Sequence, residues 1–126
     1  MPSLTVYSAG DVLYTTVQFT DGEGEKQRPI LVVSTESYNR RMDHVIFCPI
    51  TTTKVPFATY HVMDYAQGSL PIPSNVVVDT MFTVKQAKIS KKLGRASERL
   101  MARVLRDVHN NIAFPARAPL GPGKKA

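Results

Sequence analysis

The feature that most constrains the fold of this chain is a change in its hydrophobic pattern near residue 97. Before that point, short apolar stretches bounded by glycine, proline and charged residues predict β-strands. After it, apolar residues recur every three or four positions, which predicts one amphipathic helix with Ser97 as its N-cap. The 126 residues suffice for one domain. The pattern therefore predicts a mainly β (α+β) fold, a small barrel or twisted sheet with a C-terminal helix packed against it.

The predicted elements follow from where the apolar residues lie. Strands are expected at 11–19, 29–34, 44–50, 57–63 and 75–79, with a short sixth strand around 87–91 and a helical turn or loop at 36–41. The helical stripe consists of Leu100, Met101, Val104, Leu105, Val108 and Ile112. We expect this stripe to face the core and residues 1–113 to form the domain. The segment 114–126 is basic and rich in Pro and Gly, which is typical of a flexible tail.

The net charge of +6 is concentrated in one part of the chain. Residues 1–84 carry five basic and eight acidic side chains, a net of −3. Residues 85–106 carry eight basic side chains against Glu98 alone, a net of +7. Such a basic block indicates a polyanionic partner, either nucleic acid or an acidic protein segment. The alternative is a solvated surface that only keeps the protein soluble.

Several kinds of chemistry lack their sequence signatures. The single cysteine, Cys48, excludes an internal disulfide and a cysteine-rich zinc site, and its position is typical of a buried strand residue. His44, His61 and His109 lie far apart, and no phosphate-loop, dinucleotide or nucleophile-elbow motif is present. We therefore expect no metal and no cofactor. No apolar run reaches the roughly 18 residues of a membrane helix and no secretory signal is visible, so we expect a cytoplasmic protein without membrane contact.

Arg28 and Thr51 are the pair of residues best placed for phosphate chemistry. Arg28 stands directly before Pro29 at the start of a buried strand, and Thr51 follows the next strand. If these strands are antiparallel neighbours, as short connections favour, both residues lie at the same end of the sheet. A guanidinium beside a hydroxyl supplies the donors that a phosphate site needs. The alternative is that Arg28 caps a loop and Thr51 only ends a strand.

Several segments, in order and at matching spacing, resemble the MazF/PemK family, the toxins of bacterial type II toxin–antitoxin systems. They are GDVLY at 10–14, QRPILVVS at 27–34, YNR at 38–40, VIFCPITT at 45–52, VVVDTMFT at 76–83 and LGRAS at 93–97. The resemblance covers about residues 9–112. It implies an SH3-like β-barrel with a C-terminal helix, usually a homodimer. It also implies a metal-independent endoribonuclease that cuts single-stranded RNA (mRNA) at a short sequence motif and is neutralised by an acidic antitoxin protein.

The resemblance also assigns roles to residues. Arg28 matches the family's catalytic arginine and Thr51 its catalytic threonine. The implied reaction is attack of a 2′-hydroxyl on the adjacent phosphate, which leaves a 2′,3′-cyclic phosphate and a free 5′-hydroxyl. The residues that we predict to bind RNA around this pair are Lys26, Gln27, Thr52, Lys54, Asp79 and Thr80. For the antitoxin we predict Lys91 and Lys92 in the basic block.

The chain departs from the family pattern at informative places. The PemK branch has been assigned a histidine in the first loop and an arginine two residues before the aspartate that matches Asp79. Here that loop has no histidine and Val77 takes the arginine position, which favours Arg28 and Thr51. Many members carry a Gln and then an Arg after the acidic residue, whereas this chain has Thr80, then Met, then Phe82. The RNA motif therefore cannot be inferred from a relative, and Asp79 is either an RNA-binding, a catalytic or a loop-anchoring residue.

Two other functions are compatible with the same fold. One is a toxin that poisons DNA gyrase by binding it, but such toxins rely on a Trp-containing C-terminal end and this chain contains no Trp. The other is a catalytically silent module that binds RNA or an antitoxin. An RNA cleavage assay in EDTA separates this module from the nuclease.

Overall fold

The computed structural model describes residues 6–18, 24–53 and 56–112, so the predicted tail at 114–126 lies outside the described residues. The strands are β1 Asp11–Gln18, β2 Glu25–Val32, β3 His44–Thr51, β4 Tyr60–Val62, β5 Tyr65–Gly68, β6 Asn75–Val77, β7 Phe82–Lys85 and β8 Ile89–Ala96. The helices are α1 Glu36–Arg41 and α2 Glu98–Ile112, with a 3₁₀ turn at Gln86–Lys88. None of the helices in these segments has the length and apolar character that a membrane crossing requires.

The strands form one antiparallel sheet that coils into a barrel. Its order is β4-β6-β3-β2-β1-β8-β5, and β7 pairs with β3 beside β6. The two edge strands, β4 and β5, are consecutive in the chain and are joined by Met63 and Asp64 alone. Three Cα–Cα steps span at most about 11 Å, so the end of β4 lies close to the start of β5. The mainly β, barrel-like fold is therefore confirmed, although among the described residues the strand order ends at β4 and β5 with no ladder between them.

The link between the edge strands is held by the start of α2. The backbone N–H of Ser97 donates to the carbonyl of Asp64 at 2.9 Å. The hydroxyl of Ser97 also donates to the Asp64 carboxylate at 2.5 Å. The residue that caps α2 therefore also holds the link between the two edge strands.

Hydrophobic clusters cover both faces of β1, β2 and β3. The first cluster consists of Val12, Leu31, Cys48, Ile50, Met63, Val76, Val78, Ala96, Leu100 and Val104. The second consists of Leu13, Val17, Ile30, Val32, Val45, Phe47 and Val84. Adjacent residues such as Leu31 and Val32 belong to different clusters because side chains alternate across a strand. Burial on both faces explains the continuous apolar run from residue 29, and the expected burial of Cys48 is confirmed.

α2 begins at its predicted N-cap and packs only part of its apolar stripe. The Oγ of Ser97 accepts a hydrogen bond from the backbone N–H of Leu100 at 3.1 Å. Leu100 and Val104 are buried against the barrel, whereas Leu105 and Ile112 are 39% and 66% exposed. The prediction that the whole stripe faces the core is wrong for these two residues. Leu105 is rotated about 100° around the helix from Val104, which takes it out of the buried line.

The remaining differences from the prediction concern the bounds of several strands, including the central β2, and two strands that were not predicted. The observed and predicted bounds are Tyr60–Val62 against 57–63 for β4, Ile89–Ala96 against 87–91 for β8, and Glu25–Val32 against 29–34 for β2. β5 and β7 were not predicted. Their backbones pair with β8 and β3 respectively, and such pairing does not require an apolar pattern. The predicted helical turn at 36–41 is confirmed as α1.

Asp11 is a buried carboxylate that joins β1 to β8. It is 2% exposed, and its Oδ1 lies 2.6 Å from a guanidinium nitrogen of Arg95 and 3.2 Å from the Nζ of Lys92. Its Oδ2 accepts the backbone N–H of Ser8 at 2.9 Å. Two side chains of the basic block are therefore committed to a buried carboxylate.

This arrangement predicts a difference between two ion pairs. We expect Asp11→Asn to lower the free energy of unfolding by about 2–3 kcal/mol, because it leaves the cations around a buried position without their counterion. The matched control, Glu36→Gln, breaks an exposed pair with Arg40 whose closest atoms are 2.6 Å apart. This substitution should lower the free energy of unfolding by less than about 1 kcal/mol. Urea denaturation measures both losses, and equal losses would contradict the prediction.

Candidate functional site

The pairing of β2 with β3 brings Arg28 and Thr51 to one end of the barrel. In this antiparallel ladder Ile30 lies opposite Pro49 and Leu31 opposite Cys48. Continuing that register by two residues places Arg28 opposite Thr51. Opposing residues in an antiparallel pair project from the same face, with Cβ atoms about 4.5–5.5 Å apart. The observed ladder ends at Ile30 and Pro49, so its extension places a guanidinium and a hydroxyl at the same end of the two strands, and their catalytic role stays a prediction.

The surroundings hold both side chains in partial burial. Arg28 is half-buried and lies opposite Thr15 in the β1–β2 ladder. Thr15 is fully buried, and its hydroxyl donates to the carbonyl of Lys88 at 2.8 Å. The Oγ1 of Thr51 accepts the backbone N–H of Thr53 at 3.0 Å. Because that contact uses a lone pair of Thr51, the hydroxyl hydrogen can still be donated to a ligand.

The predicted RNA-binding residues on β2 divide between two faces. Lys26 and Arg28 share one face, since residues two apart in a strand point the same way. Gln27 points to the other face, where its amide donates to the hydroxyl of Thr16. The hydroxyl of Ser90 donates to the amide oxygen of Gln27 at 2.9 Å. The structure thus brings Lys26 and Arg28 together on one face and uses Gln27 to connect β1, β2 and β8.

The predicted residues after β3 lie in a loop that we call the β3–β4 loop, residues 52–59. Thr52 is exposed in the turn that directly follows Thr51. Lys54 lies outside the described residues. Asp79 is exposed and its carboxylate accepts the backbone N–H of Thr59, and the N–H of Val78 donates to the carbonyl of Thr59 at 3.1 Å. Asp79 therefore anchors the end of this loop, whatever else it does.

Asp79 and Thr80 stand on a bulge that the sequence did not predict. β3 pairs with β6 through Ile50 opposite Val76, and with β7 through Phe47 opposite Phe82. Between these pairs β3 has two residues and the other segment has five, so the extra residues must project outward. The bulge carries Asp79 and Thr80 toward the β3–β4 loop.

Cys48 lies beneath the bulge and does not supply a nucleophile. Burial, together with the charge of Asp79, raises the pKa of the Cys48 thiol to about 12. The thiolate is the reactive form of cysteine, and a thiol with this pKa stays protonated at neutral pH. Cys48 is therefore a packing residue.

The basic block of the sequence is spread over several surfaces. Lys91 lies over the ring of Tyr14, with 5.9 Å from its Nζ to the ring centroid, whereas Lys92 approaches the buried Asp11. The other ion pairs of the block are Lys85 with Asp43 at 3.6 Å, Lys88 with Glu25 at 3.0 Å and Arg106 with Asp107 at 3.6 Å. Much of the local charge is thus balanced within the fold. The predicted antitoxin contact stays a prediction, and Lys91 is a cleaner probe of it than Lys92.

A cavity of about 420 Å³ lies between β1, β2, β3 and β7. Phe47 and Phe82 form part of its wall, with ring centroids 5.7 Å apart. Of the described residues, neither Arg28 nor Thr51 lines this cavity. Arg28 and Thr51 are half-buried and their neighbours Lys26 and Thr52 are exposed, so the candidate site lies at a solvent-accessible end of these strands, which suits an extended ligand.

Two of the three histidines, His44 and His61, are engaged in separate structural contacts. Within the described residues, no group of three or more His, Cys, Asp or Glu side chains is arranged to hold a metal ion. The Nε2 of His44 lies 2.7 Å from the hydroxyl of Tyr38. The Nε2 of His61 in β4 lies 2.6 Å from the Oδ2 of Asp107 in α2. The contact with His61 lowers the pKa of Asp107 below its ordinary value of 3.8.

This contact predicts a change in acid sensitivity. A carboxylate with a lowered folded pKa stabilises the fold above its unfolded pKa, and this stabilisation is lost as the pH falls through the folded value. We expect Asp107→Asn to flatten the loss of stability between about pH 5 and pH 2. His61→Gln, which removes the partner of Asp107, should flatten it similarly. Thermal unfolding at stepped pH checks both variants, and curves parallel to the wild type would refute the prediction.

The solved structures that share this fold include MazF toxins. MazF (Form-I) from Deinococcus radiodurans is 19% identical, with a TM-score of 0.70 over 87% of this chain and 99% of that chain. An endoribonuclease in complex with its cognate antitoxin, from Mycobacterial species, is 22% identical, with a TM-score of 0.67 over 86% and 99%. The Mycobacterium tuberculosis toxin MazF-mt6 is 23% identical, with a TM-score of 0.62 over 81% and 99%. At these identities the likeness establishes the fold.

The family follows from the sequence match. The family model described as "PemK-like, MazF-like toxin of type II toxin-antitoxin system" matches residues 8–112. The chain belongs to this family, as the resemblance indicated. No curated protein sequence matches it.

One exposed residue near the site was missed by the sequence reasoning. Phe57 in the β3–β4 loop is fully exposed, at 105% of its reference area. It is also the one non-glycine among the described residues with a positive φ, +67°. The available signal was an aromatic residue directly after Pro56, in a segment that was assigned instead to the fourth strand.

Proposed function

We propose that this toxin is an endoribonuclease that cleaves single-stranded RNA, with Arg28 and Thr51 as its catalytic residues. The observation that carries the proposal is the β2–β3 register, which puts Arg28 opposite Thr51 when it is extended by two residues beyond Ile30 and Pro49. Membership of the PemK-like, MazF-like family supports it. Two solved structures with this fold are named as endoribonucleases.

The proposed reaction needs donors more than it needs a base. The 2′-oxygen attacks the adjacent phosphorus, the bond from phosphorus to the 5′-oxygen breaks, and the 5′-oxygen gains a proton to replace the one lost by the 2′-hydroxyl. The products are a 2′,3′-cyclic phosphate and a 5′-hydroxyl. Arg28 donates to the non-bridging oxygens, and Thr51 donates its hydroxyl hydrogen to the charge that develops on the phosphorane. Because guanidinium groups stay protonated in proteins, we assign Arg28 charge stabilisation.

The substrate class follows from the shape of the site. A solvent-accessible end of these strands can receive a single strand of RNA with its bases turned outward, whereas bases in a duplex are stacked and paired. Lys26 shares the face of Arg28 and is suited to a neighbouring phosphate, which positions the strand. Thr52 and Thr80, and Asp79 if its second oxygen is accessible, are the proposed contacts to base edges, which would specify the sequence.

A metal-independent reaction provides the central test. In EDTA, the wild type should cut single-stranded RNA, and Arg28→Ala and Thr51→Ala should each lose about 100- to 1,000-fold in rate. Arg28→Lys should recover only part of the activity, because lysine lacks the planar fork of donors. The matched control is Arg40→Ala, which removes an exposed arginine from α1. A single 2′-deoxy sugar before the scissile phosphate should block cleavage, and efficient cutting there would exclude the 2′-hydroxyl mechanism.

We also propose that the toxin is a homodimer inhibited by an acidic antitoxin segment. The family supports a toxin–antitoxin pair, and one structure with this fold contains a cognate antitoxin. Lys91 is exposed on β8 and is the proposed electrostatic contact.

Charge reversal at Lys91 tests this partner. Lys91→Glu should slow association with the cognate antitoxin and reduce its salt dependence, because a positive site no longer steers the acidic segment. The rate at which the protein cleaves a short RNA should change less than its rate of association with the antitoxin. Stopped-flow binding at several salt concentrations measures the first effect, with Arg40→Glu as the control at a distant exposed arginine. Equal losses in both assays would place Lys91 in the RNA-binding surface instead.

A further inference from the structure

Phe57 combines two unfavourable features that the fold by itself does not explain. Its ring is fully exposed, at 105% of its reference area, although burial in an apolar environment is the favourable state of a phenyl ring. Its φ of +67° is strained for a residue with a bulky aromatic side chain. Strained, exposed positions of this kind concentrate at ligand contacts.

The loop that carries Phe57 is fixed to the candidate site at both ends. At its start, the hydroxyl of Thr51 accepts the backbone N–H of Thr53 at 3.0 Å. At its end, the N–H of Thr59 donates to the carboxylate of Asp79, and the N–H of Val78 donates to the carbonyl of Thr59. Phe57 lies six residues after Thr51, so their Cα atoms are within about 21 Å, which is a span of a few nucleotides in an extended strand. A strand bound at Thr51 can therefore reach the exposed ring.

The chemistry of the surrounding segment favours a nucleic acid as the partner of the ring. Residues 44–63 contain no Asp or Glu, and the loop contributes hydroxyls and one lysine, Lys54. The loop itself therefore adds no negative charge, and the carboxylate of Asp79 at its end accepts the backbone N–H of Thr59. Every nucleobase has a π-face, and exposed aromatic side chains beside a cationic site are the usual stacking platforms for single strands.

We infer that Phe57 stacks on a base of the bound RNA strand, a few nucleotides from the scissile bond. This inference rests on the proposed ribonuclease function and adds a substrate-positioning residue to it. Stacking positions the strand relative to Arg28 and Thr51 without contributing to the chemical step. Its loss should therefore raise KM more than it lowers kcat.

The absence of Trp from the sequence allows a direct spectroscopic test. Phe57→Trp creates a protein with one indole, which we expect to be quenched on binding a non-cleavable RNA that carries a single 2′-deoxy sugar at the mapped cleavage site. The control is Ile72→Trp at another exposed apolar residue, 59% exposed, between β5 and β6. The fluorescence of this control should not change. Quenching confined to the Phe57→Trp protein supports stacking, and equal behaviour of the two proteins overturns it.

Kinetics and an abasic substrate series locate the contact. Phe57→Ala should raise KM about 5- to 100-fold, as expected for one base stack, and Phe57→Tyr should restore it. In a series of RNAs that each lack one base, the wild-type protein should bind one of them more weakly than the complete RNA. The Phe57→Ala protein should bind that RNA as well as it binds the complete one. Phe57→Asn should keep or raise the melting temperature while raising KM, because Asn tolerates a positive φ. Ile72→Ala is the control with unchanged KM.

The outcomes distinguish this inference from the function on which it rests. If the wild type cuts no RNA, the proposed function fails and the inference fails with it. If the wild type cuts RNA and Phe57→Ala keeps its KM, the inference alone is wrong. If Phe57→Asn shifts the monomer–dimer equilibrium in analytical ultracentrifugation, or weakens antitoxin binding with RNA affinity unchanged, the ring docks on protein and base stacking is excluded.

Discussion

The antiparallel register between β2 and β3 is the constraint on which the rest of the structure depends. Leu31 opposes Cys48 in one hydrophobic cluster, and Val32 opposes Phe47 in the other. A slip of one residue would move each side chain into the wrong cluster, so burial on both faces fixes the register. Extended by two residues to the strand ends, the same register puts Arg28 opposite Thr51. The packing of the core therefore bears directly on the geometry of the proposed active site.

Several basic side chains of this protein form ion pairs within the fold and are therefore not simply available to a partner. The basic block at 85–106 suggests a single surface when viewed along the sequence, yet Arg95 and Lys92 surround the buried carboxylate of Asp11. Other members of the block pair with Glu25, Asp43 or Asp107. An acidic antitoxin segment would therefore meet cations that are already partly balanced. Local exposure, as at Lys91, should matter more for such a partner than the net charge of the block.

The proposed recognition surface lies where the regular sheet is interrupted. Three extra residues between β6 and β7 push Asp79 outward, and its carboxylate holds the end of the β3–β4 loop. That loop presents Phe57 with an exposed ring and a left-handed backbone conformation. The fold thus tolerates local strain beside Thr51, and such strain is expected where a ligand is to be bound.

The sequence by itself determined the elements whose stability depends on their own side chains. The apolar patterns of β1, β2 and β3, the cap at Ser97 and the buried line of α2 could be read directly, and short connections placed Arg28 and Thr51 at one sheet end. Only the tertiary structure decided the rest. β5 and β7 exist through backbone pairing with β8 and β3, Gln27 turns away from Arg28, and Asp79 meets Thr59 across twenty residues. These features depend on contacts between segments that are distant in the sequence. Backbone pairing does not require a periodic pattern of apolar side chains, so the sequence gives no signal for it.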